Sequence, residues 1–170
     1  YEPIDGYTLI SKPNVTLQRN DSGEAEVVFK YKKNTTLYHV QHILRDQNGN
    51  EKVYQLDTVK DQPVGATVPE IPITPLEIQG YTYNATDSVT SGTTSASTIL
   101  ILKLYYDIDE MDLEVNYVDE EGSPIKEPYF DTVYYNSSYD LSEKKELSIN
   151  HNGKNYVLDR MSGSPISGTV

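Results

Sequence analysis

The chain contains no cysteine and no tryptophan, and only 2 phenylalanines. Without cysteine there are no disulfide bonds, no thiolate metal sites and no thiol nucleophile. In a displayed protein this fits bacterial surface proteins better than small secreted eukaryotic domains, which depend on disulfides. Basic residues are scarce as well: 14 Lys and Arg stand against 26 Asp and Glu, a net charge of −12. A chain so charged repels phosphate backbones and anionic headgroups, which argues against DNA, RNA or an anionic membrane as partner. No apolar run approaches the roughly 18 residues of a membrane-crossing helix, so membrane insertion is not expected. Neither an export signal nor an LPxTG-type sorting motif is legible, so any wall anchor is expected outside these residues.

What the chain does have is tyrosine, 15 residues in 170, with 36% hydrophobic residues overall. That apolar fraction suffices for a folded core. Tyr and Thr suit half-exposed pleated surfaces, so the composition points to a mainly β fold, a β-rich α+β chain with little helix.

The sequence also repeats itself. Gly6-Tyr7-Thr8 opens a stretch that closes with Val27-Val28-Phe29-Lys30-Tyr31, and Gly80-Tyr81-Thr82 opens one that closes with Leu100-Ile101-Leu102-Lys103-Leu104-Tyr105. A looser copy begins at Gly153-Lys154-Asn155-Tyr156, and its Ser167-Gly168-Thr169 echoes Ser91-Gly92-Thr93. Self-similarity of this kind marks a modular array. Three segments follow: 1–33 as the C-terminal half of a repeat, 34–107 as a complete repeat, and 108–170 as a second repeat lacking its final strand.

Within 34–107, the alternation over Leu37–Leu44 predicts a strand, and Asn48-Gly49 a tight hairpin with a return strand over Val53–Val59. Pro69, Pro72 and Pro75 exclude a long helix. Tyr81–Tyr83 and Val89-Thr90 read as short strands, and Ile99–Tyr106 as the most hydrophobic one. In the next segment, Met111–Val118 and Thr132–Tyr135 read as a strand and its return around Asp119–Gly122. Asp140–Leu147 reads as a short helix capped by Asp140 or Ser142.

The phrase Tyr117-Val118-Asp119-Glu120-Glu121-Gly122, followed by Tyr139-Asp140, Gly153, Tyr156 and Ser167-Gly168-Thr169, resembles the mucin-binding (MucBP and MucBP-like) repeats of Gram-positive surface adhesins. The resemblance implies tandem, elongated, β-grasp-like repeats in a secreted bacterial cell-wall protein. It implies host mucin or glycan, or an extracellular protein, as partner, with neighbouring repeats beside it. It carries no catalytic residues, and it also fits a stalk that presents a separate binding head.

Candidate chemistry is sparse. His39 and His42 are three apart on a strand and therefore face opposite sides, poor metal geometry, and both are expected at the solvent surface. No catalytic triad spacing is visible, so an enzyme is not expected. The carboxylates Asp107, Asp109 and Asp112, close together in sequence, form the best candidate for a calcium ion, with a solvated acidic linker as the alternative. Asp46-x-Asn48-x-Asn50 also resembles the start of a calcium loop, though a hairpin turn explains it more simply. Tyr106, Tyr129 and Tyr135 are candidates for stacking on sugar rings, with core packing as the alternative. Asn14-Val15-Thr16 and similar acceptor patterns carry no meaning in a bacterial protein. Finally, Val27–Phe29 is a candidate to complete the open third repeat, in a neighbouring molecule rather than within the chain, with excision from a longer array as the alternative.

Overall fold

The computed structural model describes residues 2–12 and 19–170, and the Asn14-Val15-Thr16 pattern lies outside them. The fold is mainly β, in several small sheets. In chain order the strands are β1 (Tyr7–Leu9), β2 (Tyr31–Lys33), β3 (Thr35–Arg45), β4 (Glu51–Pro63), β5 (Thr67–Val68), β6 (Tyr81–Val89), β7 (Gly92–Thr93) and β8 (Leu100–Ile108). Then come β9 (Glu110–Val118), β10 (Pro124–Tyr134), β11 (Ser138–Asp140), β12 (Ser148–His151), β13 (Lys154–Val157) and β14 (Ser167–Thr169). The chain divides into two compact units, one of residues 1–44, 51–76 and 83–106, the other of 45–50, 77–82 and 107–170.

The core of the first unit lies on a four-stranded sheet in the order β4-β3-β8-β6. Alternation puts Tyr38, Val40 and His42 on one face of β3, and all three are buried. Leu102, Leu104 and Tyr106 alternate in the same way along β8 and are fully buried. His42, expected at the surface, is a core residue because it shares the Tyr38 and Val40 face; His39, on the other face, bonds Thr58 Oγ1 at 2.9 Å. The two short strands expected at Tyr81–Tyr83 and Val89-Thr90 are replaced by one strand, β6, which runs from Tyr81 to Val89 and stops before Thr90. The segment with Pro69, Pro72 and Pro75 contains no helix.

In the second unit β9 pairs with β10, β11 with β14, and β12 with β13, all antiparallel. Its core is thin: Ile125 is the buried hydrophobic residue among its described positions. The expected helix over Asp140–Leu147 is instead a single 3₁₀ turn, Ser142–Lys144. Asp140 does accept a hydrogen bond from the Ser142 amide (2.9 Å), but Lys145 is already extended at ψ 106° and Leu141 and Leu147 share no helical face.

The repeats coincide at the level of single backbone bonds. In the first unit the Asn34 amide donates to Gly6 O (2.8 Å), Thr8 Oγ1 donates to Asn34 Oδ1 (2.6 Å), and the Val64 amide donates to Asn34 O (2.9 Å). In the second, Asp109 N donates to Gly80 O (2.9 Å), Thr82 Oγ1 to Asp109 Oδ1 (2.6 Å), and Tyr135 N to Asp109 O (2.8 Å). Asn34 and Asp109 hold corresponding places in this bonding pattern, each the single residue between two strands, β2 and β3 or β8 and β9. The Ser-Gly-Thr motifs coincide too: Gly65 N donates to Thr94 O (3.0 Å) as Asn136 N donates to Val170 O (2.7 Å). The motif's glycine allows close packing, since a Cβ on Gly92 would come within 2.9 Å of Leu100 and one on Gly168 within 3.3 Å of Tyr139.

Two identical dipeptides give different turns. Asn48-Gly49 does not make the expected tight hairpin; Gly49 alone has positive φ (77°), and Asp46 organises a wider loop by accepting from the amides of Asn48 (2.9 Å) and Asn50 (2.8 Å). Asp119 holds Glu121 and Ser123 in the same manner (3.1 and 2.8 Å). The tight turn occurs at Asn152-Gly153, where both φ values are positive (53° and 76°) and His151 pairs directly with Lys154.

Candidate functional site

The sequence candidates do not converge. Tyr106 is fully buried in the first unit, where its hydroxyl accepts from the Leu76 amide (2.9 Å) and lies 2.7 Å from His42 Nδ1. It is a core residue, with no face left for a sugar. Tyr135 is half-buried and packs edge-on against Tyr81, with ring centroids 6.5 Å apart. Its ring also covers Gly80, where a Cβ would lie 2.0 Å from Tyr135 Cδ1. Of the three tyrosines, Tyr129 alone lines a recess.

The carboxylates near residue 109 are likewise separated by their partners. Asp107 receives Arg45 Nε (2.6 Å) and Nη2 (3.0 Å) as a two-point ion pair. Asp109 accepts from Thr82, and Asp112 accepts weakly from Thr132 Oγ1 at 3.4 Å. Among the described residues no group of three or more His, Cys, Asp or Glu is placed to hold a metal ion.

The recess around Tyr129 is built by two irregularities in the β9–β10 ladder. Lys126 pairs with Tyr117 and Tyr129 with Val115, so three steps along β10 match two along β9. The extra residue falls at Glu127-Pro128, and Pro, which cannot donate to a ladder, is tolerated in a bulge. Bulging turns Tyr117, Lys126, Glu127 and Tyr129 towards the 3₁₀ turn, which contributes Glu143 and Lys144, with Glu146 just beyond it. The turn is held down where the Tyr117 hydroxyl donates to Lys144 O at 2.7 Å.

The result is a shallow recess of about 310 Å³. Each of its two rings carries an ammonium group: Lys126 Nζ lies 4.8 Å from the Tyr117 centroid and Lys144 Nζ 4.1 Å from that of Tyr129. Lys126 also pairs with Glu146, and that hydrogen bond holds its pKa above the usual lysine value. The Tyr129 hydroxyl donates to Asp131 Oδ2 (3.0 Å), which raises the tyrosine's pKa. The recess thus offers aromatic surface, fixed ammonium donors and carboxylate acceptors together. No nucleophile paired with a base lies among them.

Residues 112–170, which contain this recess, match the family description of the MucBP domain. This part of the chain carries a MucBP-like repeat. The family is one of mucin-binding-type repeats of extracellular surface proteins, and it is a binding family, not an enzyme family. No curated protein matches the chain. No helix among the described residues is long and apolar enough to cross a membrane.

Of the residues lining this recess, Tyr129 is among the sequence candidates, whereas Tyr117, Lys126 and Lys144 are not. The available signal was Glu127-Pro128: a proline inside an otherwise strand-like run marks a bulge, and a bulge redirects the side chains beside it.

Proposed function

We propose that the chain is a non-catalytic repeat region of a bacterial cell-wall surface protein, and that its MucBP-like repeat adheres to mucin or host glycans at the Tyr117–Tyr129 recess. The observation that carries this reading is the coincidence of the MucBP match with a recess of two tyrosine rings flanked by Lys126, Lys144 and Glu146. Sugar hydroxyls both donate and accept, so mixed ammonium and carboxylate groups beside aromatic faces complement a polyhydroxylated ligand. A glycan array on the 170-residue chain tests it. The expected result is a mucin-type glycan signal that Tyr129→Ala removes without lowering the melting temperature.

A second reading, repeats acting as a stalk that presents a separate head, draws support from the bonding shared by Gly6-Thr8-Asn34-Val64 and Gly80-Thr82-Asp109-Tyr135. An array empty at high protein concentration favours the stalk.

A further inference from the structure

One face of the four-stranded sheet in the first unit is open, and its charge is opposite to that of the chain. On β3 and β8 the buried residues Tyr38, Val40, His42, Leu102, Leu104 and Tyr106 point to the core. The odd-numbered residues between them, within 37–41 and 101–105, therefore lie on the other face. The bond from His39 to Thr58 brings the even-numbered residues of β4 to that same face, whereas Asp57 turns inward to His42. This face carries Lys52, Lys60 and Lys103, and none of its positions within 37–41, 52–60 and 101–105 is Asp or Glu. The next carboxylate along β8, Asp107, is held by Arg45. Three ammonium groups without a carboxylate form a local exception in a chain of net charge −12. On the same face Tyr54, Leu56 and Ile101 are 54%, 51% and 43% exposed.

We propose that this face docks a linear acidic polysaccharide, one whose sugars carry carboxylates at intervals. Lys52 and Lys60 lie on one strand, and at the usual rise they are roughly 27 Å apart. A single anion cannot span that distance, whereas an extended chain with repeated negative charge does. Tyr54 adds an exposed ring with a polar tip, which suits the apolar face of a sugar. A lysine ammonium is a compact charge with rotating donors, so it meets a carboxylate without the fixed geometry that arginine demands. The face is a pleated platform, on which such a chain lies flat. Charge density also favours this ligand. A polyanion as dense as nucleic acid meets the repulsion of the whole chain, whereas a polymer charged only at alternate sugars meets less of it. That repulsion is screened beyond about 8 Å at physiological ionic strength, while ammonium contacts are made at shorter range. The face shares no residue with the Tyr117–Tyr129 recess, and the proposal does not rest on it.

The test is isothermal titration calorimetry on the full chain with a hyaluronan oligosaccharide, which bears one carboxylate per disaccharide. The comparison is the same oligosaccharide with its carboxylates reduced to alcohols. The native oligosaccharide is expected to bind, more weakly as salt is raised, and the reduced one to lose most of that affinity. Lys52 and Lys60 are exposed, so changing both to Gln is expected to leave the melting temperature unchanged. The double variant is expected to bind about fivefold more weakly, the combined effect of two exposed ion pairs. Tyr54→Ala is expected to weaken binding as well. Lys126→Gln, in the recess, is expected to leave it unchanged, which keeps this site distinct from glycan binding there. No binding at millimolar oligosaccharide, equal binding of the reduced form, or wild-type affinity in the double lysine variant overturns the proposal. So does tighter binding of a poly-glutamate peptide than of hyaluronan, which would make the partner an acidic protein segment.

Discussion

His42 Nδ1 lies 2.7 Å from the Tyr106 hydroxyl, a hydrogen bond between strands β3 and β8 in the core of the first unit. The other ring nitrogen, Nε2, faces Asp57 Oδ2 at 3.6 Å. With the proton of the neutral ring on Nε2, directed at that carboxylate, Nδ1 is the acceptor and the tyrosine hydroxyl donates to it. The same hydroxyl oxygen accepts from the Leu76 amide, so one buried oxygen ties three segments together. No buried side-chain polar atom among the described residues lacks a partner.

Removing that oxygen strands two groups at once. Tyr106→Phe leaves His42 Nδ1 and the Leu76 amide unpaired and is expected to cost about 2 kcal/mol or more. Chemical denaturation checks this, with Tyr54→Phe, at an exposed position of β4, as the control.

Burial pushes the pKa of His42 below its ordinary value of 6.5, against the smaller opposing pull of Asp57. The unfolded chain therefore binds a proton at a pH where the folded chain does not. This contribution to stability is complete above about pH 6.5 and is lost as pH falls through that value towards the folded pKa. The melting temperature is expected to rise between pH 5 and neutrality, with a flatter profile in His42→Gln.

Gly80 has φ of 77° and its missing Cβ is replaced by the Tyr135 ring, whereas Gly49 has the same φ with open space around it. Both Gly→Ala changes incur the backbone penalty of about 1 kcal/mol. Gly80→Ala adds a steric clash, so it is expected to be clearly the more destabilising of the two. Tyr135→Ala in the same chain is expected to recover the excess, and a double-mutant cycle measures that coupling.

Asp109 accepts from Thr82 as Asn34 accepts from Thr8, with the same 2.6 Å separation. Asp109→Asn substitutes one repeat's residue for the other's and is expected to change stability by less than about 0.5 kcal/mol. Asp109→Ala removes the acceptor and is expected to cost about 1 kcal/mol. Urea denaturation separates the two.

The Arg45 guanidinium already occupies Asp107, and Asp109 and Asp112 are each bonded to a different threonine. Transferring the chain from EDTA to millimolar calcium is therefore expected to leave its melting temperature unchanged. A rise of several degrees would mean that an ion binds the folded state preferentially.

Local chemistry made much of this protein legible in its sequence. The alternation of Leu37–Leu44 and Met111–Val118 specified strands, because a period of two suits only a pleated surface. Asp119-x-x-Gly122 specified a loop, because a carboxylate two and four residues before free amides caps them wherever it occurs. The Gly-Tyr-Thr and Ser-Gly-Thr phrases marked equivalent positions, since each meets a steric or hydrogen-bonding need that recurs with the repeat. Tertiary structure decided the rest. Asn48-Gly49 and Asn152-Gly153 are the same dipeptide, yet Asp46 gathers the amides around the first into a wider loop while His151 and Lys154 pair directly across the second. Tyr106, Tyr129 and Tyr135 are chemically identical, yet one is core, one lines a recess and one covers a glycine. Periodicity gives a residue's side of a strand but not what lies against that side, and pairing between distant strands alone determines that.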